Sequence, residues 1–276
     1  LHHVGRPAVE RAQPGAQRHL RLRPALGHLR HRALDRARSP GRFPLRARAP
    51  GKIILTGEHA VVHGAPALVT AISRGITVAV APCPVSEIRV HSDFFSRTWG
   101  SSVEVERSAM LVLERYAEFQ EGKRGIGTVL KDSSDFVAMC IHLVGPDVRE
   151  FSSAGISVHI ESELVSGSGM GSSAAIAPAI VLVLSGLGDH PLNPEQRFAL
   201  SVEAERFQHG NSSGADPFVT VHGGSFHYRK EEQPRRLDLR LPPLTLVDTG
   251  RPESTTGECV ASVSYTHLTL PTSDLV

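Results

Sequence analysis

Residues 167–175, Gly167-Ser168-Gly169-Met170-Gly171-Ser172-Ser173-Ala174-Ala175, constrain this chain more than any other stretch. Before them, Ile156, Val158 and Ile160 alternate with Ser157, His159 and Glu161, the period of a half-buried strand. After them, residues 172–187 are small and apolar, which predicts a buried helix. Glycine lets a backbone turn tightly and approach a ligand closely. A helix start presents unpaired N–H groups and a partial positive charge, and both suit phosphate. Ser172 or Ser173 can cap the helix or ligate Mg2+. The stretch is not a P-loop, because no Gly-Lys-Ser/Thr follows it. Nor is it a dinucleotide fingerprint, whose third glycine would fall at Ser172. Taken alone it is equally compatible with a plain tight turn. Pro178, inside the helix, removes a hydrogen bond at a cost of about 3 kcal/mol unless a kink absorbs it.

The surrounding pattern mixes strands and helices. Residues 53–55, 67–72, 76–80 and 87–91 read as strands, with Ser73-Arg74-Gly75 separating the second from the third. Residues 103–119 and 136–144 read as helices, and 194–207 as an amphipathic helix with Pro194 in its first turn. Residues 218–221, 225–228 and 244–247 read as short strands. The order is that of an α+β domain rather than strict βαβ alternation.

The charge is unevenly spread. The chain of 276 residues carries a formal +2, yet residues 1–48 hold 12 Arg against only Glu10 and Asp35, a net +10 that leaves −8 for the rest. This leader lacks Lys and Ile and is broken by prolines. It reads as disordered, as mistranslated GC-rich DNA, or as a basic arm for nucleic acid. Its start lacks the apolar centre of a signal peptide, and no apolar run is long enough to span a bilayer. Cys83, Cys140 and Cys259 form no CxxC pair, so a reducing, cytoplasmic setting is expected.

Two further segments flank the glycine turn in order: APGKIILTGEHAVVHGAPAL at 49–68 and HGNSSGADP at 209–217. Taken singly, their residues are unremarkable. Lys52 reads as a surface charge, Asp216 before Pro217 as a turn residue, Glu205 as the wet face of its helix and His59 as a core histidine. Together with the glycine turn, the segments resemble the GHMP small-molecule kinases, and the first segment resembles the mevalonate kinase branch in particular. The resemblance implies an α+β GHMP kinase N-terminal domain that faces a ferredoxin-like C-terminal domain. It implies ATP and mevalonate as substrates, with phosphate transferred to the C5 hydroxyl. The alternatives are another GHMP acceptor, such as phosphomevalonate, homoserine or a sugar, and a non-catalytic fragment with a basic nucleic-acid-binding arm.

Residue by residue, the resemblance places Gly167, Ser168, Gly169, Met170, Gly171, Ser172 and Ser173 around the ATP phosphates. Ser173 and Glu205 match Mg2+ ligands. Asp216 matches the carboxylate that accepts the substrate's proton, and Lys52 the lysine beside it. Glu58 and His59 match the mevalonate pocket, with Ser213 and Thr249 as substrate or support residues. No membrane partner is implied, nucleic acid is the lesser partner reading, and homodimers occur in the family. The expected organisation is a leader at 1–44, the ATP-binding domain at 45–243 and the start of a truncated C-terminal domain at 244–262. Residues 263–276 open with Val263-Ser264-Tyr265-Thr266-His267-Leu268, the product of one frame of a common sequencing adapter, and are expected to be an artefact. The chain as written is therefore expected to turn over little.

Overall fold

A computed structural model describes residues 19–22, 45–58, 60–83, 85–145, 155–165, 168–187, 192–239, 241 and 244–247. The strands are β1 His19–Leu22, β2 Leu45–Thr56, β3 Ala67–Pro82, β4 Ile88–Ser92, β5 Ser96–Trp99, β6 Ile156–Ser162, β7 Ser225–Tyr228, β8 Arg235–Leu237 and β9 Leu244–Val247. The helices are α1 Ser102–Gln120, α2 Ser133–Val144, α3 Ser172–Ser185, α4 Pro194–His209 and α5 Ala215–His222.

The long strand β3 organises the main sheet. One of its sides pairs with β2; the other pairs with β7 through Ala67–Thr70 and with β6 through Ile76–Pro82. The sheet continues outward from β6 to β4 and β5, and from β7 to β8. Among the described residues only β4 and β6 pair in parallel, joined by the crossover that contains α1 and α2. β1 and β9 form a separate antiparallel pair. The two strands expected at 67–72 and 76–80 are one continuous β3. Its register against β2 shifts between Pro50 and Lys52, so Ser73-Arg74-Gly75 is an irregularity inside a strand instead of a break. Gly75 is required there: a Cβ would lie 2.3 Å from the carbonyl oxygen of Ala49.

Alternation sets which face is buried. Ile156, Val158 and Ile160 of β6 join Ile88 and Val90 of β4 in the core, while Arg89, His91 and His159 stay exposed. Against that face lies α3, whose residues are buried almost all round, as its uniformly apolar sequence requires. α4 begins with a capping box: Asn193 Oδ1 accepts the Gln196 N–H at 2.8 Å, and the Asn193 N–H donates to Gln196 Oε1 at 2.9 Å.

One expectation fails outright. Residues 218–221 are not a strand but the second half of α5. The apolar run is consistent with either element, and tertiary packing decides. Phe218 packs edge-on against Phe198 of α4 and Phe226 of β7, contacts that a helix one turn past Gly214 supplies.

Candidate active site

The register shift in β2 is what aims Lys52. At the shift, the Lys52 N–H leaves the β3 ladder and donates to the Met170 carbonyl at 3.0 Å, so strand and glycine turn are stitched together. Gly51 permits the approach, because a Cβ there would meet Leu164 Cδ2 at 2.7 Å and Met170 O at 3.0 Å. The Lys52 side chain then runs across Gly171, whose Cβ, if present, would lie 2.6 Å from Lys52 Cγ. It ends with Nζ 2.8 Å from Asp216 Oδ2, in the first turn of α5.

Two carboxylates and one ammonium share this corner. Glu205, in the last turns of α4, is 8% exposed and accepts the Ser212 hydroxyl. Ser212 Oγ in turn accepts the Gly214 N–H at 3.0 Å, which fixes the turn into α5. Burial pushes the Glu205 carboxyl up, the Asp216 charge adds to that, and Ser212 and Lys52 only partly oppose it. For Lys52, burial pulls the ammonium down. Asp216, by charge and hydrogen bond, and then Glu58 and Glu205 outweigh it, so Lys52 stays protonated well past neutral pH.

The glycine turn differs from expectation in one useful way. Neither serine caps α3. The cap is Gly171 itself, at φ +71°, and it offers no side-chain bond to the first turn. The N–H groups of that turn therefore have no side-chain competitor for an anion. Ser168 Oγ is used locally, donating to Val165 O at 2.7 Å, and the Met170 side chain is in the core at 1% exposure, leaving its carbonyl to hold Lys52. Gly169 has φ +74° with open space around it.

The Ser213 hydroxyl accepts the Ala215 N–H at 3.2 Å, and the Ser213 carbonyl accepts the Tyr228 hydroxyl at 2.8 Å. Glu58 is exposed and within electrostatic reach of Lys52. His59, Gly167 and Thr249 lie outside the described residues. His209 ends α4, four residues past Glu205. Burial lowers its imidazole, opposed by the Asp216 charge and assisted by that of Lys52. It opens the HGNSSGADP segment.

The architecture has known counterparts. Residues 136–224 match the GHMP kinases N terminal domain, a span that holds the glycine turn, Glu205 and Asp216. This chain carries a GHMP kinase N-terminal domain. Residues 36–82, a span that contains both β2 and β3, match the galactokinase galactose-binding signature. The mevalonate kinase of Aeropyrum pernix is 32% identical over 207 residues, covering 74% of this chain and 57% of that protein. That of Thermococcus sibiricus is 33% identical over 225 residues, covering 82% and 63%. The chain thus spans about three fifths of the length of these curated relatives. Among solved structures, the Methanococcus jannaschii mevalonate kinase aligns over 72% of this chain and 57% of its own, with a TM-score of 0.57 at 20% identity. Lactococcus lactis galactokinase complexed with galactose aligns over 70% and 46%, with a TM-score of 0.52 at 20% identity. Both likenesses show the GHMP fold.

The GHMP domain gives a direct test of the glycine turn. Gly169→Ala and Gly171→Ala each place an L side chain at positive φ, a cost of about 1–2 kcal/mol. Only the second also collides with Lys52. Gly171→Ala is therefore expected to lower the melting temperature more than Gly169→Ala, and thermal denaturation of the two variants side by side measures the difference.

Proposed function

We propose that the whole protein containing this domain is an ATP-dependent kinase that phosphorylates the C5 hydroxyl of mevalonate. The observation that carries this reading is the pair of buried Lys52 and half-buried Asp216, 2.8 Å apart, next to a glycine turn whose following helix has no side-chain cap. Phosphoryl transfer asks mainly for positioning and for neutralised charge. The α3 N-terminus would receive phosphate oxygens. Asp216 would take the proton from the acceptor hydroxyl, and Lys52 would hold that carboxylate ionised and in place. Glu58, His59, Ser213 and Thr249 would line or support the acceptor pocket. Residues 45–243 would form the ATP-binding domain and 244–262 the start of the next.

The donors fit a hard cation. Among the described residues no group of three or more His, Cys, Asp or Glu gathers to hold a metal alone. Glu205, however, is a buried carboxylate crowded by Asp216, and a divalent cation would relieve that crowding. Glu205 and the Ser173 hydroxyl would hold Mg2+, which keeps most of its shell as water and phosphate. When bound, it would neutralise charge on the phosphates.

The galactose-binding signature over residues 36–82 favours a second reading, a sugar kinase. Assaying the complete protein with ATP against mevalonate, phosphomevalonate, homoserine and galactose separates the two. Turnover of mevalonate above the others is expected. Turnover of galactose but not mevalonate would overturn the first reading. Among the described residues no helix is long and apolar enough to cross a membrane.

A further inference from the structure

Pro178 lies in the interior of α3 and has no N–H to donate to the carbonyl four residues back, that of Ala174. That carbonyl nevertheless has a donor. Thr220 of α5 places its hydroxyl oxygen 3.0 Å away, and Thr220 and Ala174 are both buried. Two other carbonyls, of Asp216 and Pro217, lie 3.1 Å from the same hydroxyl. A hydroxyl has one proton to give. Asp216 and Pro217 sit where helical geometry already supplies the N–H groups of Thr220 and Val221. The Ala174 carbonyl alone has lost its helical donor, and leaving a buried acceptor unmade is costly. The proton therefore goes to Ala174.

This places the bond between the first turn of α3 and the second turn of α5. Ala174 follows Ser173 directly in the first turn of α3. Thr220 stands one turn after Asp216 on α5. Resting on the kinase reading above, we propose that Thr220 is a positioning residue for phosphoryl transfer. Through the carbonyl that Pro178 frees, it locks the helix bearing Asp216 to the helix that starts at the glycine turn. The phosphate-facing N–H groups of α3 and the Asp216 carboxylate then keep a fixed separation. A proline inside a helix thus becomes the socket for a neighbouring helix.

The test uses the complete protein with three variants: Thr220→Val, Thr220→Ser and the double variant Pro178→Ala/Thr220→Val. Melting temperature, kcat and KM for ATP are read for each. Thr220→Val removes only the hydroxyl and is expected to lower both the melting temperature and kcat, the latter about ten- to hundredfold, since small misplacements at a reacting centre cost that much. Thr220→Ser keeps the hydroxyl and is expected to restore both. The double variant returns an N–H to the Ala174 carbonyl from within α3. It is expected to recover melting temperature while kcat stays low, because the link between helices is still missing.

Recovery of kcat along with stability would show that the hydroxyl only satisfies a carbonyl, and would overturn the proposal. Recovery of neither would place the effect of Thr220 somewhere other than Ala174, with the same consequence. If the wild type transfers phosphate and Thr220→Val matches it, positioning fails while the kinase reading stands. If the wild type phosphorylates none of the four acceptors, the kinase reading fails and positioning falls with it.

Discussion

On the kinase reading, Asp216→Asn in the complete protein is expected to lower kcat by about 10²–10⁴-fold, the contribution of a positioned general base. The substitution keeps the shape of the side chain and removes its capacity to take a proton. Its effect is not confined to chemistry. Lys52 is 4% exposed, and its main charge partner, 2.8 Å away, becomes neutral. Breaking a buried pair by removing one member costs about 3–5 kcal/mol. Asp216 is a quarter exposed, and Glu205 and Glu58 still face the ammonium, so a loss of about 1–2 kcal/mol is the reasonable figure. Steady-state kinetics and a thermal melt of one preparation give both numbers. A near-normal kcat with a lowered melting temperature would assign Asp216 to structure and remove it from the chemistry.

That site was readable in part because its residues fall in short segments of fixed order. Lys52, Ser173, Glu205 and Asp216 are 164 positions apart from first to last. Three of those segments nevertheless converge in the structure on one corner. The alternation in β6 and the apolar run of α3 were equally plain, because burial on one face or on all faces writes itself into period and composition.

What could not be read depends on through-space partners. Residues 218–221 look like a strand until Phe198 and Phe226 are placed around Phe218. The Ser73-Arg74-Gly75 interruption looks like a turn until β2 is paired beside it. Ser212 gains meaning only from its hydrogen bond to Glu205. Pro178 looked like a defect because its compensating donor lies 42 residues away on another helix.

Glu205→Gln should divide stability from function in opposite directions. In this domain without metal, Glu205 is held up to about 8 by burial first and by the Asp216 charge second. In the unfolded chain the same carboxyl titrates near ~4.3. Between those two values the native state holds a proton that the unfolded state has released, so stability falls as pH rises through that window and stays low above it. Glutamine carries no such proton, and its amide oxygen still accepts the Ser212 hydroxyl. In EDTA the variant should therefore melt higher than wild type, with a gap that grows from pH 5 to pH 8 and then levels. Removing an ionised carboxylate from a buried, crowded position is worth on the order of 2 kcal/mol, or about 4–8 °C for a domain of this size. Function should move the other way. Loss of a metal-binding carboxylate removes several kcal/mol of transition-state stabilisation, so kcat/KM should fall about 100-fold or more. Added Mg2+ and ATP should raise the melting temperature of the wild type and leave that of the variant nearly unchanged. A variant that melts at or below wild type in EDTA at pH 8 would show that the carboxylate is not held under electrostatic strain. Glu205 would then have no reason to recruit a cation, and its proposed role as a Mg2+ ligand would fall.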